Sequence, residues 1–194
     1  MATDTYKTLL RLDPPHHRAI ERSLKRYLDM DGANCRRLMR TILETGSICT
    51  FGYGSLMRDP HAKPDTVYAG YVEGFERDMV HLDRHYRGTP RRLSLTMGVV
   101  PTQNPRQKLH GLLQVTRFDA GSSSEALARQ IMDYIENLAW REVSLNPIYA
   151  YKIVDVKNRR GASFPAIMCC PPDNKHPLYI YTLAPPQRNP EAKA

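Results

Sequence analysis

The stretch Phe51-Gly52-Tyr53-Gly54-Ser55-Leu56, here called the glycine turn, places two glycines around an aromatic residue directly after a short apolar run. Glycine has no Cβ, so Gly52 and Gly54 can adopt positive φ angles and let a ligand approach the main chain. The turn would then offer converging backbone N–H donors to a carboxylate or a phosphate, those of Tyr53, Gly54, Ser55 and Leu56. The alternative is a strand-to-loop corner in which the glycines serve packing alone.

Outside the glycine turn, the hydrophobic pattern predicts two early helices, a β-rich middle and one late helix. Pro14-Pro15 opens the first helix, Gly32 ends it, and the second helix covers residues 34–45. Apolar runs between Gly, Pro and Asn turns predict strands at 48–51, 66–74, 79–82, 93–100, 109–115, 150–156, 166–170 and 178–181. Several strands with a late helix fit a mixed α+β, barrel-like fold.

The late helix carries a candidate catalytic carboxylate. Ser122-Ser123-Ser124-Glu125 is a capping-box pattern, which predicts that the helix begins there. Glu142 continues the helix's apolar stripe at helical spacing, so its carboxyl group is predicted to face the core, be desolvated and have the raised pKa that a general base or acid needs. Alternatively, Arg141 or a lysine pairs with Glu142, or the helix frays and leaves it solvated. The stripe consists of Leu127, Ile131, Tyr134, Ile135 and Leu138.

The composition indicates one compact domain. The chain has 194 residues, and 41% of them are hydrophobic, which suffices for a single core. Its four cysteines lack metal-ligand spacing, so we expect reduced thiols in a cytoplasmic protein and neither a metal site nor a cofactor. The N-terminal residues contain no long apolar stretch, so no secretory signal or membrane-spanning segment is expected. The cysteines are Cys35, Cys49, Cys169 and Cys170.

A formal net charge of +8 favours anionic partners. A nucleic-acid partner is nevertheless disfavoured, because Tyr27 is the single aromatic residue among the basic residues of the N-terminal region and no nucleic-acid motif appears. The charge is better explained by a solvated helical face or by attraction of a small anionic substrate. We expect the protein to be a monomer or a weak dimer. The basic residues are Arg18, Arg22, Lys25, Arg26, Arg36, Arg37 and Arg40.

Three further segments accompany the glycine turn: His85-Tyr86-Arg87-Gly88-Thr89-Pro90, then Trp140-Arg141-Glu142, then Pro172-Asp173-Asn174. In this order, they resemble the ChaC-type γ-glutamylcyclotransferases. The resemblance covers residues 48–186 and implies an α+β, γ-glutamylcyclotransferase-like mixed β-barrel with surrounding helices. Residues 1–47 would then be an N-terminal helical extension packed on this core, and residues 187–194 a disordered tail.

The resemblance also implies roles for single residues. Glu142 matches the catalytic glutamate, and the glycine turn would hold the γ-glutamyl group by its α-carboxylate or by a developing oxyanion. Arg87 either binds the carboxylate at the substrate's distal end or braces its own turn. Tyr149 or Tyr151 is a candidate for the tyrosine that follows the catalytic pair in relatives. We expect His81, His85 and Asp83 to be structural or surface residues.

Three functions remain open at this point. The first is cleavage of glutathione to 5-oxoproline and cysteinylglycine, and the second is the same reaction on another γ-glutamyl amine or dipeptide. The third is a non-catalytic binding protein of the same fold, against which the intact Glu142 stands. Departures from the family pattern at residues 85–86, 91–93 and 143–147 touch the regions expected to hold the leaving amine. The reaction type is therefore better supported than the substrate.

Overall fold

The computed structural model describes residues 10–60, 62–83, 89, 91–92, 94–143 and 150–170. Within them, the helices are α1 (Pro14–Leu28), α2 (Gly32–Thr45) and α3 (Ser124–Val143). The strands are β1 (Ser47–Gly52), β2 (Thr66–Glu73), β3 (Phe75–Asp83), β4 (Ser94–Pro101), β5 (Lys108–Arg117), β6 (Ala150–Asn158) and β7 (Ser163–Cys170). A 3₁₀ turn, Ser55–Met57, follows β1. The predicted α+β barrel-like fold is confirmed.

Five strands form a closed barrel in the order β1-β5-β2-β6-β7. Antiparallel pairing joins neighbouring strands around the barrel, and a parallel contact between Thr50 of β1 and Ile167 of β7 closes it. Strands β3 and β4 form a separate two-stranded antiparallel sheet. Since closure removes the unpaired strand edges, the barrel leaves its rims and loops as the places where a site can be built.

Two buried clusters lie on opposite faces of the barrel strands. Alternate residues of β1 illustrate this, because Ile48 belongs to one cluster and Cys49 to the other. The helical core joins the three helices to the outer face of the barrel and includes Ile20, Leu24, Leu28, Leu38, Ile42, Ile48, Ile131, Ile135, Leu138 and Ile167. The barrel core fills the interior and includes Cys49, Phe51, Tyr53, Val72, Val99, Leu109, Leu113, Val156, Met168 and Cys170.

The two early helices are present, but the boundary between them differs from the prediction. Pro14 and Pro15 occupy the first positions of α1, where a missing N–H costs nothing. Asp29, with φ of 48°, follows the end of α1, so Gly32 does not end that helix. Gly32 instead begins α2, which Asp31 caps by accepting a hydrogen bond from Asn34 N at 2.8 Å.

Helix α3 begins one position later than the capping-box pattern predicts. Ser123 is the residue whose hydroxyl accepts a hydrogen bond from Ala126 N at 3.3 Å. Ser122 instead donates to Asp119 Oδ2 at 3.0 Å and accepts from Gln130 Nε2 at 3.1 Å. The predicted apolar stripe of α3 is confirmed, because all five of its members are buried in the helical core.

Several expectations concern residues that the structure does not describe. The predicted strand at 178–181, the Pro172-Asp173-Asn174 turn and the tail at 187–194 all lie outside the described ranges. All four cysteines are buried, and none of them forms a disulfide bond. In the part of the chain that the structure covers, no helix combines the length and hydropathy that a transmembrane segment needs.

Candidate active site

The glycine turn leaves the end of β1 and folds back over it. A Cβ added at Gly52 would lie 2.9 Å from Leu56 Cβ and 3.2 Å from Met57 N, so the close approach of the chain excludes a side chain there. No atom lies within 4 Å of a Cβ built on Gly54. Neither glycine has a positive φ, so the predicted left-handed conformation is wrong for both. Gly52 serves packing, and Gly54 leaves the main chain open to an approaching ligand.

Four successive carbonyl groups of the glycine turn, those of residues 53–56, accept hydrogen bonds from the protein. Tyr53 O accepts a hydrogen bond from Arg77 Nε at 3.0 Å, and Gly54 O accepts from Met57 N at 3.1 Å. Ser55 O accepts from two amides of the following residues, and Leu56 O accepts from the side-chain amide of Gln114. The oxygens are therefore turned toward the protein, which keeps their negative dipole ends away from a bound anion.

The amide groups of the same turn show the opposite pattern. Among the described residues, no hydrogen-bond acceptor is found for the backbone N–H groups of Gly54, Ser55 and Leu56. Ser55 is exposed, and Gly54 is half-buried. Successive main-chain donors without a protein acceptor are the groups that bind carboxylates and oxyanions in other proteins.

Two buried side chains fix the glycine turn to the barrel. Tyr53, which is 7% exposed, lies in the barrel core and donates its hydroxyl hydrogen to Cys169 O of β7 at 3.0 Å. Gln114 of β5 is 3% exposed and donates to Leu56 O. Because buried polar groups rarely leave their partners, these contacts hold the main chain of the turn in one conformation.

A salt bridge links the glycine turn to the end of α3. Arg141 Nη1 lies 2.9 Å from Asp59 Oδ2, and Asp59 N in turn donates to Ser55 O at 2.9 Å. The Arg141 side chain is 22% exposed, so this bridge is partly shielded from water. Glu142 is the next residue along α3. The fold thus brings the Arg-Glu pair and the glycine turn, which are far apart in sequence, to one end of the barrel.

The remaining predicted site residues have different outcomes. The side chain of Glu142 lies outside the described part of the structure, as do Arg87, Tyr149 and His85 entirely. His81 and Asp83 lie in β3, with their side chains outside the description. Tyr151 is buried in the helical core and donates its hydroxyl hydrogen to Leu138 O at 3.3 Å, so it contributes to packing between β6 and α3. In the described ranges, no group of three or more His, Cys, Asp or Glu residues is arranged to hold a metal ion.

Three residues that contact the turn were not identified from the sequence: Arg77, Gln114 and Asp59. Gln114 had a detectable signal, because a lone amide in the apolar run Leu112-Leu113-Gln114-Val115 must find a hydrogen-bond partner when the strand is buried. Arg77 and Asp59 had no such signal in the sequence. An arginine in a strand and an aspartate in a loop are ordinary surface residues until the tertiary fold supplies their partners.

The comparisons with known proteins agree with this architecture. Residues 48–184 match the family described as ChaC-like protein. A glutathione-specific γ-glutamylcyclotransferase of Schizosaccharomyces pombe is 27% identical over 158 residues, which cover 78% of this chain and 71% of that protein.

Two crystal structures from yeast, both of γ-glutamyl cyclotransferase specific to glutathione, share the fold. One has a TM-score of 0.53 and 17% identity over 70% of this chain and 72% of its own, and the other has a TM-score of 0.50 and 15% identity over 71% and 75%. Since the family match spans well over half of the sequence, the chain belongs to the ChaC-like protein family.

Proposed function

We propose that the protein is a γ-glutamylcyclotransferase that cleaves glutathione to 5-oxoproline and cysteinylglycine. The observation that carries this proposal is the difference between the carbonyl and the amide groups in the glycine turn of a ChaC-like chain. The turn directs its carbonyls into the protein and leaves the amides of Gly54, Ser55 and Leu56 as donors. A γ-glutamyl group carries an α-carboxylate of the size and charge that three such donors accommodate.

The chemistry requires positioning and the transfer of protons. The α-amine of the γ-glutamyl group loses a proton and attacks the γ-carbonyl carbon of the same residue, which closes the five-membered ring of 5-oxoproline. The amide C–N bond then breaks, and the departing amine gains a proton. The nucleophile and the electrophile belong to one molecule, so holding the substrate in a folded shape removes most of the entropic barrier.

Glu142 is the group we propose for both proton transfers. It lies four residues beyond Leu138, a residue of α3 that is fully buried in the helical core. The salt bridge from the neighbouring Arg141 to Asp59 holds this end of α3 beside the glycine turn. A carboxylate at this place would accept the proton of the α-amine and then donate it to the leaving nitrogen.

Substrate charge is consistent with the protein's charge. Glutathione carries a second carboxylate at its glycine end, and we propose that Arg87 binds it through a bidentate pair. The net charge of +8 raises the local concentration of such an anion. Because the site would be built for a free α-amine and α-carboxylate on the same carbon, compounds with either group blocked should not be cleaved.

The direct test is release of 5-oxoproline by the purified protein in the presence of a chelator. Glutathione should be compared with a panel of γ-glutamyl amines and dipeptides, and kcat/KM should be highest for glutathione. A panel member with a higher kcat/KM would assign the same reaction to a different substrate. If no compound in the panel yielded 5-oxoproline, the proposed activity would be wrong and a binding role would replace it.

A matched pair of variants on α3 tests the catalytic residue. Glu142→Gln should lower kcat by at least roughly a hundredfold, the usual scale for a lost general acid-base group. Glu136→Gln is the control, because Glu136 lies on the same helix and its carboxylate accepts a hydrogen bond from Trp140 Nε1 at 3.4 Å. Parental turnover by Glu142→Gln would exclude it as the catalytic residue.

A substitution in the glycine turn tests the binding step. Gly54→Ala places a methyl group in the open space beside the three donor amides, where the carboxylate is proposed to bind. The KM for glutathione should rise by about tenfold or more, since a displaced carboxylate loses charge-assisted hydrogen bonds. An unchanged KM would show that the substrate does not approach the main chain at Gly54.

A further inference from the structure

Arg77 makes two hydrogen bonds that the proposed reaction does not involve. It lies on β3, in the two-stranded sheet beside the barrel. Its Nε donates to Tyr53 O in the glycine turn at 3.0 Å, and its Nη2 donates to His110 O on β5. The guanidinium group therefore bridges two main-chain carbonyls with two nitrogens of its planar fork.

The contact at Tyr53 O determines the direction of the next amide. Among the described residues there are no cis peptide bonds, so the C=O of Tyr53 and the N–H of Gly54 point in opposite directions within one planar unit. Holding the carbonyl oxygen against Arg77 therefore turns the Gly54 N–H away from β3. That N–H is the first of the three donor amides in the turn.

The charge of Arg77 also affects the strength of that donor. A hydrogen bond from a guanidinium group to a carbonyl oxygen polarises the whole peptide unit, because electron density moves from the nitrogen toward the oxygen. The Gly54 N–H then becomes a better donor to an anion. Arg77 is exposed and water screens its charge, so its effect on the turn comes mainly through this direct hydrogen bond.

We propose that Arg77 is a positioning residue of the glycine turn, which orients and polarises the Tyr53–Gly54 peptide so that the Gly54 N–H binds the α-carboxylate of the ligand. This inference rests on the proposed function of the turn as a carboxylate site. It adds a residue that acts on the ligand through the main chain and does not touch it.

The test compares binding of 5-oxoproline and of its amide, which differ only at the carboxylate, by calorimetry. The parent should bind the acid more tightly than the amide. Arg77→Met should weaken binding of the acid by about tenfold, the scale of one charge-assisted hydrogen bond, and leave the amide nearly unchanged. Arg77→Lys should recover only part of the loss, because an ammonium group keeps the charge but lacks the planar fork that contacts both carbonyls in the parent.

Arg106→Met is the control, since Arg106 is an exposed arginine in the loop between β4 and β5. It removes the same charge without altering the glycine turn and should bind both compounds as the parent does. Thermal unfolding of all variants separates a binding effect from a loss of fold. If Arg77→Met weakened binding of the acid and the amide equally, Arg77 would be a structural residue and the inference would be wrong.

The same experiment distinguishes this inference from the proposed function. A parent that prefers the acid but releases no 5-oxoproline from any γ-glutamyl compound would overturn the cyclotransferase activity and leave the role of Arg77 intact. A parent that binds both compounds equally would overturn the role of Arg77. An active parent whose Arg77→Met variant keeps its preference for the acid would do the same without affecting the activity.

Discussion

The helical core and the barrel core are built from the same strands but differ in what they do for the site. The barrel core is made of strand side chains, together with Tyr53, the one residue of the glycine turn whose side chain donates to β7. The helical core joins elements from both ends of the described chain, since α1 and α2 pack there with α3 and the outer face of β1, β6 and β7. The barrel core thus fixes the turn, and the helical core fixes the helix that carries Glu142.

This difference means that the proposed site depends on both cores at once. A change confined to the barrel would move the amides, whereas a change confined to the helices would move the carboxylate. We therefore expect the two cores to unfold together, because β1 contributes alternate side chains to each. The predicted division into an extension at residues 1–47 and a domain at 48–186 follows the family resemblance and stays a prediction. The two parts need not fold as separate units.

The largest expected effect comes from removing one leucine from each core. Leu24 lies in the helical core and is 0% exposed, and Leu113 lies in the barrel core and is 1% exposed. Leu24→Ala and Leu113→Ala should each lower the free energy of unfolding by about 2–5 kcal/mol. In both variants, urea unfolding followed by circular dichroism and by Trp140 fluorescence should give a single coincident transition. Two separate transitions in Leu24→Ala would show that the barrel folds without the helices.

The loss of stability at alkaline pH should depend on a different buried side chain in each core. Burial raises the pKa of the Cys49 thiol in the barrel core to about 11, and burial also raises the pKa of Tyr134 in the helical core. For Cys49, the unfolded thiol ionises near pH 9. The contribution of Cys49 is fully present below that pH and is lost as the pH rises toward 11, about 3 kcal/mol in total for a shift of this size.

The measurement is the free energy of unfolding in urea between pH 8 and 11, under reducing conditions. Cys49→Ala should flatten the decline that begins near pH 9. Tyr134→Phe should flatten only the part above pH 10, where tyrosine ionises in the unfolded chain, and it should also lose the hydrogen bond between Tyr134 and Thr50 Oγ1 at 2.7 Å. If neither variant changed the slope, these buried groups would not control the alkaline limit of stability.

Alanine substitutions at two glycines test the packing on the two faces of the barrel. A Cβ at Gly52 would meet Leu56 of the turn at 2.9 Å, whereas a Cβ at Gly111 would meet Gly52 O and the Phe51 ring. Gly52→Ala should cost roughly 1–3 kcal/mol, because the turn has to move outward to relieve the contact. Gly111→Ala should cost more, since a rigid backbone oxygen and a core ring both have to shift. Equal melting temperatures for the two variants would contradict this ranking.

The smallest effect is expected at the surface contact between α2 and the barrel. Arg37 Nη2 lies 2.5 Å from Asp155 Oδ1, but the two side chains are 43% and 53% exposed. Arg37→Gln should therefore lower the free energy of unfolding by less than about 1 kcal/mol, and added salt should reduce the difference. A loss as large as that of Leu24→Ala would mean that this pair, more than apolar burial, attaches the helices.

Much of the fold could be predicted because period and burial agree along the chain. The stripe of α3 was correct at each of its five positions, since a 3.6-residue period leaves one apolar face to cover. The strand positions were also close, although β3 extends farther than predicted, as its polar residues Glu76, Arg77 and Asp78 carry no apolar signal. The helix boundary at Gly32 was wrong because Asp29 adopts a left-handed conformation that usually indicates glycine.

The candidate site was less predictable for a physical reason. The identity of the glycine turn was recognisable, but the use of Gly52 depends on Leu56 folding back over it, and such a contact is decided by tertiary structure. The carbonyl partners Arg77 and Gln114 come from strands far along the chain. The roles that the family resemblance suggests for Glu142 and Arg87 stay predictions, and Glu142→Gln tests the first of them.

The parallel contact that closes the barrel has a consequence for synthesis of the protein. Thr50 and Ile167 come from early and late parts of the chain, so β1 emerges from the ribosome long before its partner β7 exists. Until then, the apolar faces of α1, α2 and β1 have no barrel to cover them, and contacts between such distant segments form slowly. A nascent chain of this protein therefore exposes the apolar faces of these elements until β7 has been released.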